Sequence, residues 1–242
     1  MKIILNNLTP LSLIAFSLVF TGCSGGGGGS TPANTTPIIY DVTNALNYVG
    51  VVASAVPQTI TVTGINFTAD MKLSIGETAN ITPTFFNSQP QRLVASTTIS
   101  TVPPNNYITV TVNSSSGTPL ATAGLGVASA PITLAQVQII FGSTGAKCTD
   151  CHRPSGSGRL DLTSTDAATA ALFIQSPNLG CTSRYRVIPG DARRSSSLLI
   201  DKIQVSPPSP LCTGTLMPPS GYTITEQQIK DITDWVAGGA HR

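Results

Sequence analysis

Charged and aromatic residues are scarce in this sequence. Charged side chains make up 10% of the 242 residues, aromatic side chains make up 5%, and the formal net charge is +2. This charge does not give the electrostatic footprint of a nucleic-acid-binding protein, and we expect no nucleic-acid partner. Serine, threonine, glycine and proline are abundant, and residues that favour helices are sparse in the first half. The composition is more typical of a secreted, β-rich protein than of a cytosolic enzyme.

The apolar run near the N-terminus is too short to cross a membrane. Leu11–Phe20 follows the positively charged Lys2, whereas a membrane-spanning helix needs about 20 apolar residues. This pattern predicts a signal peptide at residues 1–22. Phe20-Thr21-Gly22-Cys23 resembles the lipobox of bacterial lipoproteins, although Phe20 stands where that family usually has leucine. The resemblance implies that Cys23 is acylated and, with Ser24 after it, that the protein is an outer-membrane lipoprotein.

Glycine and small polar residues follow Cys23. Five consecutive glycines lie between Ser24 and Ser30, and threonine, proline and asparagine continue to residue 36. A chain of this composition is a flexible coil. Residues 23–36 are therefore predicted to be the acylated cysteine and a tether that holds the folded part away from the lipid.

Residues 37–131 contain short β-rich runs separated by turn residues. Ile60–Thr63 and Ile108–Val112 alternate apolar and polar side chains, as half-buried strands do. The predicted strands are Ile38–Val42, Thr59–Thr63, Met71–Ile75, Thr82–Phe86, Arg92–Thr98, Tyr107–Val112 and Ala121–Val127. About seven short strands over roughly ninety residues predict an immunoglobulin-like β-sandwich.

Three motifs in this region resemble those of the IPT/TIG immunoglobulin-like domain. They are Pro37-Ile38-Ile39, the run Ile60–Phe67 and Ser74-Ile75-Gly76. The resemblance implies a β-sandwich over residues 37–131. Because this region contains no histidine or cysteine, we expect it to be a spacer or a docking module for a partner protein or glycan, and not a catalytic domain.

The stretch Cys148-Thr149-Asp150-Cys151-His152 reads C-x-x-C-H, the attachment signature of a c-type haem. If it is helical, residues three apart lie on one face. Both thiols would then reach the edge of one porphyrin, and His152 would supply an axial ligand to the iron. A zinc site needs about four ligands and a dithiol redox site needs a βαβ pattern, and the sequence offers neither nearby. We therefore predict one covalently attached haem c.

Helical patterns return in residues 132–242. The predicted helices are Leu134–Phe141, Ala167–Ile174, Ser195–Gln204 and Glu226–Ala237. Thr133 and Thr225 are their clearest N-caps, and Thr225 opens a capping box with Gln228. Such short helices bury little apolar surface by themselves. The sequence therefore predicts a small all-α domain whose core is completed by the haem.

The sixth iron ligand has two candidates. Met217 precedes Pro218 and Pro219, which bias its backbone to an extended conformation, and pairing of methionine with histidine is a standard ligand set for haem iron. His241 is the alternative. It lies beyond a Gly-Gly break at the end of the chain, where we expect the backbone to fray.

The order of motifs across residues 132–242 resembles that of the small monohaem cytochrome c domains of bacterial surface and periplasmic proteins. The motifs are Val137-x-x-Ile140-Phe141, Cys148–His152, Leu160-x-Leu162, Val187-x-Pro189-Gly190-Asp191, Met217-Pro218-Pro219 and Ile232-x-x-Trp235-x-x-Gly238-Gly239. The resemblance implies a cytochrome c fold with His152 and Met217 as axial ligands. The fold class predicted for the whole chain is multi-domain, with an immunoglobulin-like β-sandwich followed by a small all-α cytochrome c domain.

Two cysteines remain after the roles above are assigned. In an oxidising compartment this even remainder predicts a disulfide between Cys181 and Cys212. Arg184 and Arg186 belong to a basic cluster in the same region. They are candidates to pair with the haem propionates, because guanidinium groups suit carboxylates. The alternative is a solvated basic face that meets a redox partner or has no role.

These features together predict a membrane-anchored c-type cytochrome. It would transfer single electrons between redox proteins of the cell envelope, because a haem with both axial positions filled has no vacant site for a substrate. The protein would face the periplasm or be exposed at the cell surface. One alternative is a haem enzyme or a gas- or peroxide-binding protein with an open sixth site. Another is a surface interaction protein that acts through the β-sandwich.

Overall fold

The structure is a computed structural model. It describes residues 35–45, 49–142, 144–156, 159–176, 181, 184–203, 216–219 and 221–241. The predicted signal peptide, Cys23 and the tether up to residue 34 lie outside these ranges. Within the described ranges, no helix combines the length and apolarity that crossing a membrane requires. Thr35–Arg242 forms one compact unit.

All of the predicted strands are present, together with two short strands that the pattern does not predict. The nine described strands are β1 (Ile38–Asn44), β2 (Gly50–Val52), β3 (Ser54–Ile65), β4 (Lys72–Ile75), β5 (Thr78–Ile81), β6 (Thr84–Phe86), β7 (Gln91–Ile99), β8 (Tyr107–Asn113) and β9 (Pro119–Ala128). They form a four-stranded sheet in the order β1-β3-β7-β6 and a five-stranded sheet in the order β2-β9-β8-β4-β5. β2 lies parallel to β9, and the other described pairs are antiparallel.

Both sheets bury side chains in one shared core. In β7, Leu93 and Ala95 are buried, whereas Arg92 is exposed, as the period of two in a half-buried strand requires. Val62 of β3 lies opposite Leu93, and the same core contains Leu125 of β9. We refer to residues 35–131 as the two-sheet part.

Four short helices follow, and we refer to residues 132–241 as the C-terminal segment. The helices are α1 (Leu134–Phe141), α2 (Thr165–Leu172), α3 (Leu198–Ile203) and α4 (Glu226–Ala237), and a 3₁₀ turn covers Cys148–Asp150. α1 and α4 begin with reciprocal capping boxes at Thr133 and Thr225. Each box satisfies backbone N–H groups that would otherwise lack partners in the first turn. The bounds of α1 and α4 are those that the sequence predicts.

The predicted separate all-α cytochrome c domain is wrong, and with it the predicted multi-domain fold class. The fold is β-rich, with two sheets and only four short helices among the described residues, and no separate all-α domain is seen there. α4 packs against β9, and the core around Trp235 includes Ala128 at the end of that strand. The reason is that helices this short cannot cover their own apolar faces, so the two-sheet part covers them.

Glycines bring the backbones of the two parts into direct contact. A Cβ atom added to Gly126 would lie 2.2 Å from the carbonyl oxygen of Ala237 and 2.4 Å from that of Gly190. A Cβ atom added to Gly50 would lie 2.1 Å from the same oxygen of Ala237. A glycine inside a strand often marks a site where another backbone approaches closely. This surface between β2, β9 and the end of α4 is called the seam below.

A buried carboxylate crosses the seam. Asp234 of α4 is 1% exposed, and its Oδ1 accepts hydrogen bonds from the Ser129 backbone N–H at 2.9 Å and from the Asn106 Nδ2 at 3.3 Å. Its Oδ2 accepts from the Ser129 hydroxyl and, at 2.7 Å, from the Lys230 Nζ. Donors from the sheet side and from α4 therefore stabilise one buried charge, which fixes the helix to the two-sheet part.

The seam has no room for a side chain at Gly126, because backbone oxygens of the C-terminal segment lie directly against it. We expect Gly126→Ala to lower the free energy of unfolding by about 3 kcal/mol, the upper end for overpacking, because both opposing atoms belong to the backbone and cannot turn aside. For a chain of this size the melting temperature should fall by roughly 6–12 °C. Gly142→Ala is the control, because its added Cβ would lie 3.4 Å from the nearest atom. Equal melting temperatures for the two variants would contradict the seam.

Candidate functional site

The C-terminal segment encloses an apolar cavity of about 280 Å³. This volume is near the lower end, about 300 Å³, of pockets that hold small molecules and cofactors. Its walls are formed by Phe141, Cys148, His152, Leu160, Leu162, Leu172, Ser176, Cys181, Arg186, Leu198, Leu199, Lys202, Ile203, Met217, Pro218, Ile224 and Ile232. A second cavity, of about 130 Å³, is lined by Lys147, Cys148, Cys151, His152, Met217, Pro218, Pro219 and Tyr222. Four residues line both cavities, so the two adjoin.

The residues of the C-x-x-C-H motif lie on one tight turn. Cys148 begins the 3₁₀ turn, and its carbonyl oxygen accepts hydrogen bonds from the N–H groups of Cys151 at 3.3 Å and of His152 at 2.8 Å. The His152 carbonyl accepts in turn from the Leu162 N–H at 2.9 Å. The turn brings Cys148 and His152 to the walls of both cavities and Cys151 to the wall of the smaller one.

Both cysteines of the motif are free thiols. Burial raises the pKa of the Cys148 thiol to about 11, because an apolar environment disfavours the charged thiolate. At neutral pH this thiol is protonated, and a protonated thiol is a poor metal ligand and a poor attacking group in disulfide exchange. Burial in the cavity wall therefore favours the neutral form of the Cys148 thiol over its thiolate.

Met217 is far from the C-x-x-C-H motif in the sequence but lines the same cavities. It lines both cavities together with Cys148 and His152. Its backbone N–H donates a hydrogen bond of 2.7 Å to the carbonyl oxygen of Lys202 in α3. The structure thus brings the predicted second axial ligand to the predicted haem site and attaches its backbone to a helix.

His241, the alternative second ligand, lies elsewhere. It lines neither of the two cavities. Its carbonyl oxygen accepts hydrogen bonds from the Trp235 Nε1 at 2.8 Å and from the Leu134 N–H at 2.9 Å. These bonds hold the residue against α1 and α4, so the expected fraying does not occur at this position.

The two candidate propionate partners are placed differently. Arg186 is 5% exposed and lines the larger cavity. Its guanidinium donates to the carbonyl oxygens of Ala171 at 2.7 Å and Arg159 at 3.2 Å, and burial lowers its pKa. Arg184 does not line this cavity and forms a buried ion pair with Asp201, with 2.7 Å between Nη1 and Oδ2.

Cys181 also faces the larger cavity. It is 4% exposed and is in a disulfide, whereas Cys148 and Cys151 are free. Its predicted partner, Cys212, lies outside the described residues, and the pairing of these two cysteines stays a prediction. Cys181 packs against Leu198 at the start of α3.

Part of the apolar wall is not singled out by the sequence motifs. Leu172, Leu199 and Ile203 come from α2 and α3, whose patterns predict helices but not which face meets the cavity. Lys202 and Ser176 add two polar groups to the wall. Gly124 and Gly126 stand two apart in a strand, where glycine is otherwise unfavourable, and this spacing is a sequence signal of the close contacts at β9 that the motifs above do not include.

The donor set and the apolar wall fit a covalently attached haem. Two neighbouring thiols, one imidazole and one thioether reach the same pair of cavities, and a buried guanidinium in the wall suits the acidic groups of a porphyrin. Among the described residues, no group of three or more histidine, cysteine, aspartate or glutamate side chains is placed to hold a metal ion directly.

Comparison with known proteins gives no match: no family model, no curated protein and no solved structure resembles this chain. The predicted recognition of an IPT/TIG domain followed by a cytochrome c domain is therefore wrong, since no family model matches and the described residues form no small all-α domain. The short motifs that resemble those families are spread over a β-rich unit whose described residues form no separate helical domain. Conclusions about function accordingly depend on the site itself.

Proposed function

We propose that this chain carries one covalently attached haem c and passes single electrons between redox proteins of the cell envelope. The observation that carries the proposal is the shared cavity wall of Cys148, His152 and Met217. Residues 148–152 supply two thiols and an imidazole from one turn, and Met217 supplies a thioether from a segment far away in the sequence. Few other cofactors use this combination of groups.

Each group has a distinct part in the proposal. Cys148 and Cys151 would hold the porphyrin by thioether bonds, and His152 and Met217 would supply ligands to the iron. The bound haem would supply reversible one-electron oxidation and reduction of its iron. The apolar wall would limit the access of water to the bound haem, and the buried Arg186 guanidinium would offset negative charge on the cofactor.

The membrane anchor is part of the same proposal. Acylation of Cys23 would attach the protein to the outer membrane, since several acyl chains on one residue give stable anchoring. The glycine-rich tether would let the folded unit reach its partners. Transient redox partners usually meet through a small interface, below about 1,200 Å² in total.

Visible and near-infrared spectra of the purified protein test the proposal. We expect the reduced protein to show the α band of a c-type haem and the oxidised protein to show the near-infrared band of a methionine ligand. In Met217→Ala the haem should stay attached, the near-infrared band should disappear, and the reduction potential should fall by part of the roughly 0.8 V range that axial ligands set. Cys148→Ser combined with Cys151→Ser should lose covalent haem altogether.

Met71→Leu is the matched control for Met217→Ala. Met71 lies in the core of the two-sheet part, and a swap of similar volume there should cost less than about 1.5 kcal/mol and leave the spectra unchanged. Absence of covalent haem in the unaltered protein would refute the proposal. If the unaltered reduced protein binds carbon monoxide without displacing a methionine ligand, the iron has an open sixth site. The protein would then be a gas- or peroxide-binding haem protein and not an electron carrier.

A further inference from the structure

A tyrosine of the two-sheet part contacts the C-terminal segment. Tyr107 is in β8, and its ring occupies the space above Gly124 of β9. A Cβ atom added to Gly124 would lie 1.4 Å from the Tyr107 hydroxyl oxygen and 1.7 Å from its Cζ. The absence of a side chain at Gly124 is therefore what allows the ring to lie flat on the sheet.

The ring supports a turn of the C-terminal segment. The Arg193 guanidinium carbon lies 3.9 Å from the centroid of the Tyr107 ring, well within the range of a cation–π contact. The same guanidinium holds Asp191 with two hydrogen bonds, 2.8 Å from Nε to Oδ1 and 2.6 Å from Nη2 to Oδ2. This paired geometry fixes the orientation of both side chains.

The turn is connected to the start of α3. The Asp191 carbonyl oxygen accepts a hydrogen bond of 2.6 Å from the Ser197 hydroxyl, and the same hydroxyl oxygen accepts one of 2.9 Å from the Ile188 N–H. Ser197 is fully buried, and its N–H donates to the Arg193 carbonyl at 3.0 Å. α3 begins at the next residue, Leu198.

α3 in turn holds Met217. Leu198 and Leu199 line the cavity from one end of the helix, and Lys202 lines it from the other. The Lys202 carbonyl oxygen accepts the hydrogen bond from the Met217 N–H at 2.7 Å. A continuous series of direct contacts therefore leads from the Tyr107 ring to the backbone of Met217.

We propose that Tyr107 is a positioning residue for Met217, acting through the Asp191–Arg193 turn and α3. The inference rests on the proposed function, because it gives the two-sheet part a role at the haem iron. It differs from the sequence-based expectation of a spacer or docking module. The two-sheet part would set how firmly the methionine is held on the iron, and with it the reduction potential.

Displacement of the methionine by imidazole tests the inference in the purified holoprotein. The near-infrared methionine band reports the bound fraction. In Tyr107→Leu the imidazole concentration for half displacement should fall by about two- to fivefold, the factor expected from loss of one partly exposed cation–π contact. Gly124→Ala should give a fall of similar size, because it displaces the ring without altering the tyrosine.

Two variants act as controls. Tyr107→Phe keeps the ring over Arg193 and should match the unaltered protein. Tyr40→Leu removes a tyrosine that is 59% exposed elsewhere in the two-sheet part and should also match it. If Tyr107→Leu and Tyr40→Leu give the same half-displacement concentration, the inference is overturned.

Hydrogen–deuterium exchange separates failure of this inference from failure of the proposed function. Faster exchange at the Met217 N–H and in α3 is expected in Tyr107→Leu but not in Tyr40→Leu, while exchange in β3 and β7 stays unchanged. This readout does not need a methionine ligand. An unaltered protein without the near-infrared band would refute the ligand assignment alone. Equal exchange in the two variants would refute the positioning of Met217 by Tyr107.

Discussion

Asp201→Ala is expected to lower the free energy of unfolding by about 3–5 kcal/mol, the cost of leaving a buried charge without its partner. Asp201 is fully buried in α3 and pairs with two arginines. The distances are 2.7 Å from Oδ2 to the Arg184 Nη1 and 3.2 Å from Oδ1 to the Arg194 Nη2. Arg184 is itself only 8% exposed, so its charge cannot turn to water when the carboxylate is removed. Chemical denaturation with a structural probe of the C-terminal segment measures the change.

A double-variant cycle distinguishes the charge effect from lost packing. Arg184→Ala with Asp201→Ala removes both members of the buried pair, so the combined loss should be clearly smaller than the sum of the single losses. Asp231→Ala is the matched control, because Asp231 is a partly exposed carboxylate of α4 whose removal should change stability by no more than about 0.5 kcal/mol. Additive single losses would show that Asp201 contributes through shape and not through charge.

Trp235→Ala is expected to cost about 3–5 kcal/mol, as for other large aromatic side chains removed from a core. Trp235 is fully buried, and its ring lies 6.1 Å from that of Phe173 between centroids. It belongs to the core that α1, α4 and the end of β9 share. The loss should therefore weaken the seam as well as the helices. Thermal unfolding followed separately in the two-sheet part and in the C-terminal segment should show one common transition at a lower temperature.

Trp235→Phe is the informative comparison for this position. It keeps most of the buried ring but removes the hydrogen bond from Nε1 to the His241 carbonyl. That carbonyl still accepts from the Leu134 N–H, so only about 1 kcal/mol should be lost through the hydrogen bond. If the two-sheet part unfolds at an unchanged temperature in Trp235→Ala while the C-terminal segment is lost, the parts are independent and the shared core is refuted.

Local patterns predict the secondary structure of this chain well. Ile108–Val112 alternates apolar and polar residues and lies in β8, and the capping boxes at Thr133 and Thr225 open α1 and α4 at the predicted residues. These features depend on neighbours in the sequence, so they are readable without knowing the fold. β2, only three residues long, lacks such a signal because it forms by pairing in parallel with the distant β9.

Domain organisation is where local patterns lead to a wrong prediction. The change from β-rich to helical composition near residue 131 suggested two domains. The structure instead joins them through Gly126, Ala128 and Asp234, each of which contacts residues far away in the sequence. Composition reports which elements form, but not whether the apolar face of a helix such as α4 is covered by another helix or by a sheet.

The chemical groups that this protein offers can be read from its sequence alone. Cys148, Cys151 and His152 are close neighbours in the sequence, and their spacing places them on one turn. Met217 is one of only three methionines in the chain and is therefore a clear candidate for a second iron ligand. Three further points depend on long-range packing: Met217 reaches the same cavity, Arg186 and not Arg184 lines it, and His241 lies elsewhere. The number of residues between two side chains sets their distance within a single turn, so such a turn can be predicted from the sequence. A cavity formed by distant segments depends instead on how α3, α4 and the two-sheet part bury their apolar faces together.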